Sequence, residues 1–423
     1  MKQTTMTKEE IARDVFKAVR ESQLKGFRER MPDTKQGVEF EYGGIKYVAA
    51  IRRLTPQECA ELQTVPHDYE FATSETQSYR CLGNGWTVDV IKHCFSFLPK
   101  DFLYNEEKPL TVLSLFDGMS CGQIALKELG ANVGKYLASE IDKHAIANTM
   151  HNFPNTIQLG SVTDINIAEL VENHGVPQIM FGGSPCQSFS MSGRMKGMST
   201  AQGEEIYTLD RYLELKEQGF EFEGQSYLFW EYMRILTELR KYNPNIYFFL
   251  ENVEMIDKWE RCLSHAIGVR GVHINSALVS AQQRRRIYWS NIRTKALPDT
   301  RLFPDEDDTD PFALPLLATD IPQPEDKGIV IKDILQNETD QKYYLNDEVV
   351  AKLIERTDKG KLKDYLLEPQ VSIDEAFHYM NTHETYSSLT DEEKREIAEL
   401  GYNLERKRLK ENFDEASNGK SIF

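Results

Sequence analysis

Apolar residues at helical spacing open the chain. Ile11, Val15, Phe16 and Val19 form one stripe within residues 7–25, which ends near Gly26 and predicts a leading amphipathic helix. Alternation follows over residues 37–51, where Val38, Phe40 and Tyr42 precede Gly43-Gly44 and Ile45, Tyr47 and Val48 come after it, the pattern of a hairpin. From Thr111 onward short apolar runs alternate with amphipathic stretches. Strands are predicted at 111–116, 135–139, 178–182, 246–251 and 273–279, with one helix running to Leu129 and another over 143–152. This βαβ rhythm predicts an α/β protein with a mostly parallel sheet. Residues 193–224 carry charge and glycine without a clear period and read as a loop, with a short helix at 209–216. Residues 299–326 hold five prolines and the acidic run Asp305-Glu306-Asp307-Asp308, a linker or an irregular surface crossing. Helical spacing returns at 346–356 and 391–412, and no internal repeat is apparent.

At 423 residues, 40% of them hydrophobic, the chain can build two or three packed domains. No apolar run approaches the roughly 18 residues of a membrane span, and the start, Met1-Lys2-Gln3-Thr4-Thr5, lacks the apolar stretch of a secretion signal, so a cytoplasmic location is expected. The six cysteines, Cys59, Cys81, Cys94, Cys121, Cys186 and Cys262, include no Cys-x-x-Cys pair. Neither a disulfide framework nor a zinc site is indicated, and all but Cys186 are expected as small core residues. The net charge of −17 argues on its face against nucleic acid, but from Lys295 to Phe423 there are 30 acidic and 17 basic residues, so the acidity is mainly C-terminal.

The first strand runs into Phe116-Asp117-Gly118-Met119-Ser120-Cys121-Gly122, which places glycines where backbone must approach a ligand. Glu140 ends the second strand roughly 20 residues on, where a carboxylate can accept from ribose hydroxyls. That spacing does not separate a dinucleotide from S-adenosylmethionine. Cys186, within Gly182-Gly183-Ser184-Pro185-Cys186-Gln187-Ser188-Phe189-Ser190, puts a thiol on a glycine-rich turn at a strand end, a place that exposes a nucleophile. Glu251 ends the apolar run Phe248-Phe249-Leu250, and burial there would favour the acid form of a proton donor. Gln282, Arg284 and Arg286 alternate ahead of Ile287-Tyr288-Trp289, so on a strand they would share a face, either converging on a site or forming a solvated basic stripe.

Two further blocks, Arg52-Arg53-Leu54-Thr55-Pro56-Gln57-Glu58-Cys59-Ala60-Glu61-Leu62-Gln63 and Leu82-Gly83-Asn84-Gly85-Trp86-Thr87-Val88, resemble the last two of the cytosine-5 DNA methyltransferases, yet here they come first. Behind them, in the family's usual order, stand Phe116-Asp117-Gly118, Gly183-Ser184-Pro185-Cys186-Gln187-Ser188-Phe189-Ser190, Glu251-Asn252-Val253 and Gln282-Gln283-Arg284-Arg285-Arg286. The chain resembles a circularly permuted member over 51–97 and 111–292, and 321–345 resembles phage and bacterial members. The rotation needs only a short connection through 97–110, because in the family the final block packs beside the first strand.

The resemblance implies a Rossmann-like S-adenosylmethionine-dependent methyltransferase fold with a smaller, split second domain. It implies segments at 1–50 (helix and hairpin), 51–110 (rotated blocks and linker), 111–294 (catalytic, cofactor-binding) and 295–423 (acidic, part of target recognition). It assigns S-adenosylmethionine to Phe116, Asp117, Gly118, Gly122, Glu140, Ile141, Ser161, Pro185 and Leu228, with Asn84 and Trp86 against its methionine end. The family's adenine-facing aspartate falls on Ser161, with Asp164 three residues later, and either could serve. Catalysis falls to Cys186, Glu251, Arg284 at the reacting base and Arg286 in the same pocket or on a phosphate; no metal is implied. The implied reaction is methyl transfer to C5 of a cytosine flipped from double-stranded DNA, through a Cys186 adduct at C6, for restriction-modification, self-protection or regulation. RNA (tRNA) methylation and an inactive cofactor-binding scaffold are the alternatives. The acidic C-terminal piece matches poorly with a phosphate grip, so a partner protein is expected to supply part of it. A phage-encoded member would work in the cytoplasm of its bacterial host.

Overall fold

The computed structural model describes residues 6–30, 38–42, 45–185, 198–299, 310–337, 339–356 and 371–418. The chain divides into a larger unit, Pro56–Leu335, and a smaller one made of both chain ends, Met1–Thr55 with Gln336–Phe423.

In the smaller unit Val15, Phe16 and Val19 of the predicted stripe are buried, Ile11 is half-buried, and Ala12 joins them. Ala12, Val15, Phe16 and Val19 of the helix Lys8–Arg30 pack on Val371, Ala376, Met380, Ile397 and Ala398, which belong to the segment around Ile373–Thr382 and to the long helix Asp391–Asn418. Gly26 does not stop the first helix, which runs on to Arg30; an interior glycine costs a helix only about 1 kcal/mol. Gly401 admits the Phe16 ring, since a Cβ there would lie 2.4 Å from it. The predicted hairpin is present as antiparallel strands β1 (Val38–Tyr42) and β2 (Ile45–Ala49); its Gly43-Gly44 turn lies outside the described residues. Backbone bonds join the two ends of the chain within this unit, from Arg53 N–H to the Tyr343 carbonyl and from Leu345 N–H to the Ile51 carbonyl, each 2.9 Å.

The larger unit is built on β3 (Leu110–Leu115), β4 (Val133–Ser139), β5 (Ile157–Gln158), β6 (Ile179–Gly183), β9 (Tyr247–Val253), β10 (Val272–Asn275) and β11 (Arg285–Ser290), with the short pair β7 (Ser199–Thr200) and β8 (Phe222–Glu223) lying outside the main sheet. Its seven strands are ordered β10-β11-β9-β6-β3-β4-β5. The five from β9 to β5 are mutually parallel, and β11 runs antiparallel to both of its neighbours. Period-2 alternation sorts the side chains onto two faces. Val112, Tyr136, Phe181, Phe249 and Tyr288 meet the helices Glu75–Asn84, Val88–Phe95 and Cys121–Glu128. Leu113, Leu137, Met180, Leu250 and Ile287 meet Ile167–His174, Leu209–Glu217, Leu228–Tyr242 and Asp257–Ile267. Both faces are covered, as parallel strands require. The rotated Leu82–Val88 block thus lies in the helical layer that covers the first strand.

Three departures from the sequence expectations have local causes. β10 stops at Asn275 because that side chain's Oδ1 accepts from Ala277 N–H (3.1 Å) and Arg284 N–H (3.0 Å), turning the chain into a 3-10 turn at Ser276–Leu278. Residues 198–224 are more than a loop: Met198, Ile206, Tyr212 and Leu215 are fully buried, and β7 pairs with β8 around the helix Leu209–Glu217. Residues 310–335 belong to the larger unit, where β13 (Leu317–Thr319) pairs with β12 (Thr294–Ala296) and Ala318 and Ile321 are buried. The acidic run 305–308 lies outside the described residues. Cys81, Cys94, Cys121 and Cys262 are buried as expected and Cys59 half-buried; burial pushes the thiols of Cys121 and Cys262 up to about 12.

Candidate active site

The carboxyl ends of β3, β4, β6 and β9 carry most of the sequence-predicted residues to one edge of the sheet. After β3 the backbone enters the left-handed region three times in five residues, at Phe116 (φ 56°), Gly118 (φ 58°) and Ser120 (φ 62°). For the two non-glycine residues this costs about 1–2 kcal/mol each, and a dense set of bonds holds it. Asp117 N–H donates to the Ser139 carbonyl (3.2 Å), Tyr69 Oη to the Met119 carbonyl (3.0 Å) and Thr149 Oγ1 to the Gly118 carbonyl (3.2 Å). Gly122 lets the following helix close on β6: a Cβ there would lie 2.4 Å from the Phe181 ring.

Glu140 already organises this loop. Its Oε2 accepts from Gly118 N–H (2.8 Å), and its Oε1 accepts from Ile141 N–H (2.7 Å) and Asp142 N–H (2.8 Å). A carboxylate offers about four acceptor positions, so one on Oε2 remains for a hydroxyl. Beside it Ile141 is 70% exposed, the barest large apolar side chain in the described residues. Phe116 and Leu228 are half-buried against the same core. Ser161 caps the turn Val162–Asp164, and its hydroxyl lies 2.7 Å from that of Thr163, which also donates to the exposed Asp164 (3.0 Å). Neither side chain is thereby singled out for adenine. Asn84 is exposed at the end of its helix, and Pro185 is half-buried just past β6.

Asp117, expected at the cofactor, faces beneath the loop, accepting from Tyr136 Oη (2.7 Å) and from the Ser120 hydroxyl. Burial raises its carboxyl to about 6, against the opposing pull of the Ser114, Ser120 and Tyr136 hydroxyls. A folded value above the ordinary 3.8 means that the folded state holds the proton more tightly. The associated stability is present at low pH and lost as pH rises through about 6. Thermal melts should therefore show the margin of the wild type over Asp117→Asn shrinking between pH 5 and pH 7.5; a constant margin would contradict this assignment.

Glu251 pairs in register with Gly183 on β6 and Tyr288 on β11. Its carboxyl group has a partner on each oxygen: Trp86 Nε1 donates to Oε2 (3.0 Å) and Arg286 Nε lies 3.0 Å from Oε1. The expected proton donor thus stands as one half of an ion pair. Gln282, Arg284 and Arg286 are half-buried while Gln283 and Arg285 are exposed, the alternation the sequence suggests, although β11 itself begins only at Arg285. Arg286 goes to Glu251, whereas Arg284 Nη2 donates to the carbonyls of Gly85 (2.8 Å) and Gly83 (3.3 Å). Arg284 Nε is buried without a partner, as is the Oε1 of Gln282. Cys186 lies outside the described residues.

Sequence reasoning missed Asn252 and Tyr136. Asn252 Nδ2 donates to Ser184 Oγ (3.0 Å) and the Ser184 carbonyl (3.3 Å), pinning the turn that leads into Pro185-Cys186. Its place beside Glu251 was the available signal. Tyr136 reads only as an apolar strand residue, and nothing local announces its bond to Asp117. Among the described residues no group of histidine, cysteine and carboxylate side chains could hold a metal ion, and no helix is long and apolar enough to cross a membrane.

Sheet order and ligand edge together define an α/β fold of the S-adenosylmethionine-dependent methyltransferase class. A family model described as C-5 cytosine-specific DNA methylase matches residues 2–99 and 110–267, more than half of the chain, and the chain belongs to that family. Among curated relatives, the orphan methyltransferase M.Rho11sI of Bacillus phage rho11s is 27% identical over 306 residues, covering 66% of this chain and 53% of the relative. The orphan methyltransferase M.SPRI of Bacillus phage SPR is 26% identical over 285 residues, covering 62% and 58%. The chain thus spans little more than half the length of these two relatives. The crystal structure of S. pombe Dnmt2 methyltransferase aligns with a TM-score of 0.38 at 15% identity, over 74% of this chain and all of that one.

Proposed function

We propose that the chain transfers a methyl group from S-adenosylmethionine to C5 of cytosine in double-stranded DNA. The observation that carries this reading is the register of β6 against β9, which sets Gly183, three residues before Cys186, beside Glu251, while Asn252 ties down Ser184. In this reading the strand that leads in sequence toward the nucleophile and the strand that carries its carboxyl partner are neighbours in the sheet.

In the reaction the Cys186 thiolate adds to C6 of a cytosine turned out of the duplex. Glu251 in its acid form gives a proton to N3 as the electron pair is displaced, Arg286 stabilises the carboxylate left behind, and C5 becomes nucleophilic. C5 takes the methyl group, a base removes the C5 proton, and departure of the thiolate restores the C5–C6 double bond. When bound, S-adenosylmethionine supplies the methyl electrophile. Its adenosine fits the residues at the sheet edge: the acceptor position left on Glu140 suits a ribose hydroxyl, and exposed Ile141 with Phe116 and Leu228 offers apolar contact to the base. Gly118, where an added Cβ would meet nothing within 4 Å, adds open backbone beside them.

The reading includes a rotated block order, with the unit made of both chain ends in the place of the family's target-recognition region. A partner protein would supply part of the DNA grip; site-specific binding by the purified chain alone at moderate salt would remove that part of the proposal. The test of the whole is parallel transfer of labelled methyl groups to duplex DNA and to tRNA, with bisulfite sequencing to locate the product. Label in DNA at C5 of cytosine is expected; label in tRNA alone would replace the substrate.

A further inference from the structure

We propose that Trp86 is a positioning residue for the Glu251 carboxyl group, and that Arg284 acts by holding the backbone that carries Trp86. This rests on Glu251 being the proton partner in the proposed reaction.

Four observations converge. The Trp86 indole N–H reaches Glu251 Oε2 at 3.0 Å, opposite the Arg286 contact on Oε1, so each carboxylate oxygen has a donor from a different element. The indole is wedged against Phe181 of β6 and Phe249 of β9, with ring centroids 6.1 and 6.0 Å away, which leaves it little freedom to swing off. Arg284 bonds the carbonyls of Gly83 and Gly85 on the Trp86 segment, and Gly85 N–H closes back onto the Cys81 carbonyl at 2.8 Å. Gly183 completes the arrangement by its lack of a side chain, since a Cβ there would stand 2.9 Å from the indole nitrogen.

The physical consequence is orientation. A carboxyl group on a flexible side chain rotates freely about its last bond, and a group that must meet one edge of a ring gains rate from being held in one plane. Arg286 alone fixes one oxygen; the indole fixes the second. The two arginines then grip the same carboxyl group from two sides, Arg286 directly and Arg284 through the Trp86 segment.

Trp86→Phe keeps an aromatic ring against Phe181 and Phe249 while removing the donor together with one fused ring. With duplex DNA carrying 5-fluorocytosine, single-turnover adduct formation by Trp86→Phe should slow about tenfold or more, the worth of a lost hydrogen bond to a charged group. KM for S-adenosylmethionine should stay within about threefold, and the pH dependence of the rate should be displaced. In a Glu251→Gln background the same change should add nothing further. Wild-type rates and pH profile in Trp86→Phe, a raised KM with unchanged rate, or an additive effect in the double variant would overturn the proposal.

If Trp86→Phe does not fold, Glu251→Gln still decides. One of the four tryptophan indole N–H resonances should move in that variant, and four unmoved resonances would overturn the contact. A wild type that forms no adduct would overturn the cytosine reading, and the indole resonance would still report on the Trp86–Glu251 contact by itself.

Discussion

Gly183→Ala is expected to cut methyl transfer by about a hundredfold while leaving the fold in place. The added Cβ would stand 2.8 Å from Glu251 Oε2 and 2.9 Å from Trp86 Nε1, closer than carbon tolerates. The carboxyl group is the far end of a flexible side chain and turns aside, whereas the indole, held against Phe181 and Phe249, yields only slightly and adds a smaller cost in stability. That relief spoils the proposed chemistry, since a displacement of about 1 Å at a reacting group can cost about a hundredfold in rate. The neighbouring Gly182→Ala is the control. Its Cβ would meet the Leu115 backbone carbonyl at 2.6 Å, which cannot turn away, so stability falls first. Thermal melting and transfer kinetics on both variants separate the two effects, and full activity in Gly183→Ala would remove Glu251 from the reaction.

Glu231→Leu is expected to destabilise the larger unit by about 3–5 kcal/mol, because it breaks a buried ion network by removing its shared partner. Glu231 is fully buried in the helix Leu228–Tyr242. Its Oε1 accepts from Tyr212 Oη and Lys216 Nζ, both at 2.5 Å, and its Oε2 from Arg234 Nε at 2.7 Å. Tyr212 and Lys216 belong to the helix Leu209–Glu217, so one carboxylate docks that helix onto the core. Without it the 13%-exposed Arg234 side chain keeps Glu238 as its remaining carboxylate partner, and the Tyr212 hydroxyl loses its acceptor. A fall in melting temperature of roughly 10 °C follows from that loss. Glu231→Gln, which keeps the shape, should lose less. A leucine variant as stable as the wild type would show the network to be dispensable.

The strands were legible because both sheet faces are covered. Runs such as Val112-Leu113 and Phe248-Phe249-Leu250 are apolar on both sides and stand out against the flanking turns. The rim of the site was legible for a different reason: Phe116, Glu140 and Pro185 lie just past strand ends and Glu251 near the end of β9, where apolar runs give way to polar residues. What the sequence hid were partnerships across long separations. Nothing near Arg284 announces that its guanidinium serves Gly83 and Gly85 about 200 residues earlier, or that Trp86 bonds Glu251 rather than only lining a ligand. Strand alternation put Arg284 and Arg286 on one side of the chain but could not show that one guanidinium bonds backbone carbonyls and the other a carboxylate. The order of 198–224 was hidden for the same reason, since Glu231, the residue that organises it, lies outside the segment.

The proposed reaction makes one demand: a cytosine is bonded to sulfur beside Gly183, Glu251 and Asn252. Duplex DNA with 5-fluorocytosine at the target position blocks release, so incubation with S-adenosylmethionine should yield a covalent protein–DNA species that survives denaturation. Peptide mapping should place the link on Cys186, and Cys186→Ala should abolish it. A linkage at another residue, or methyl transfer undiminished in Cys186→Ala, would contradict the account.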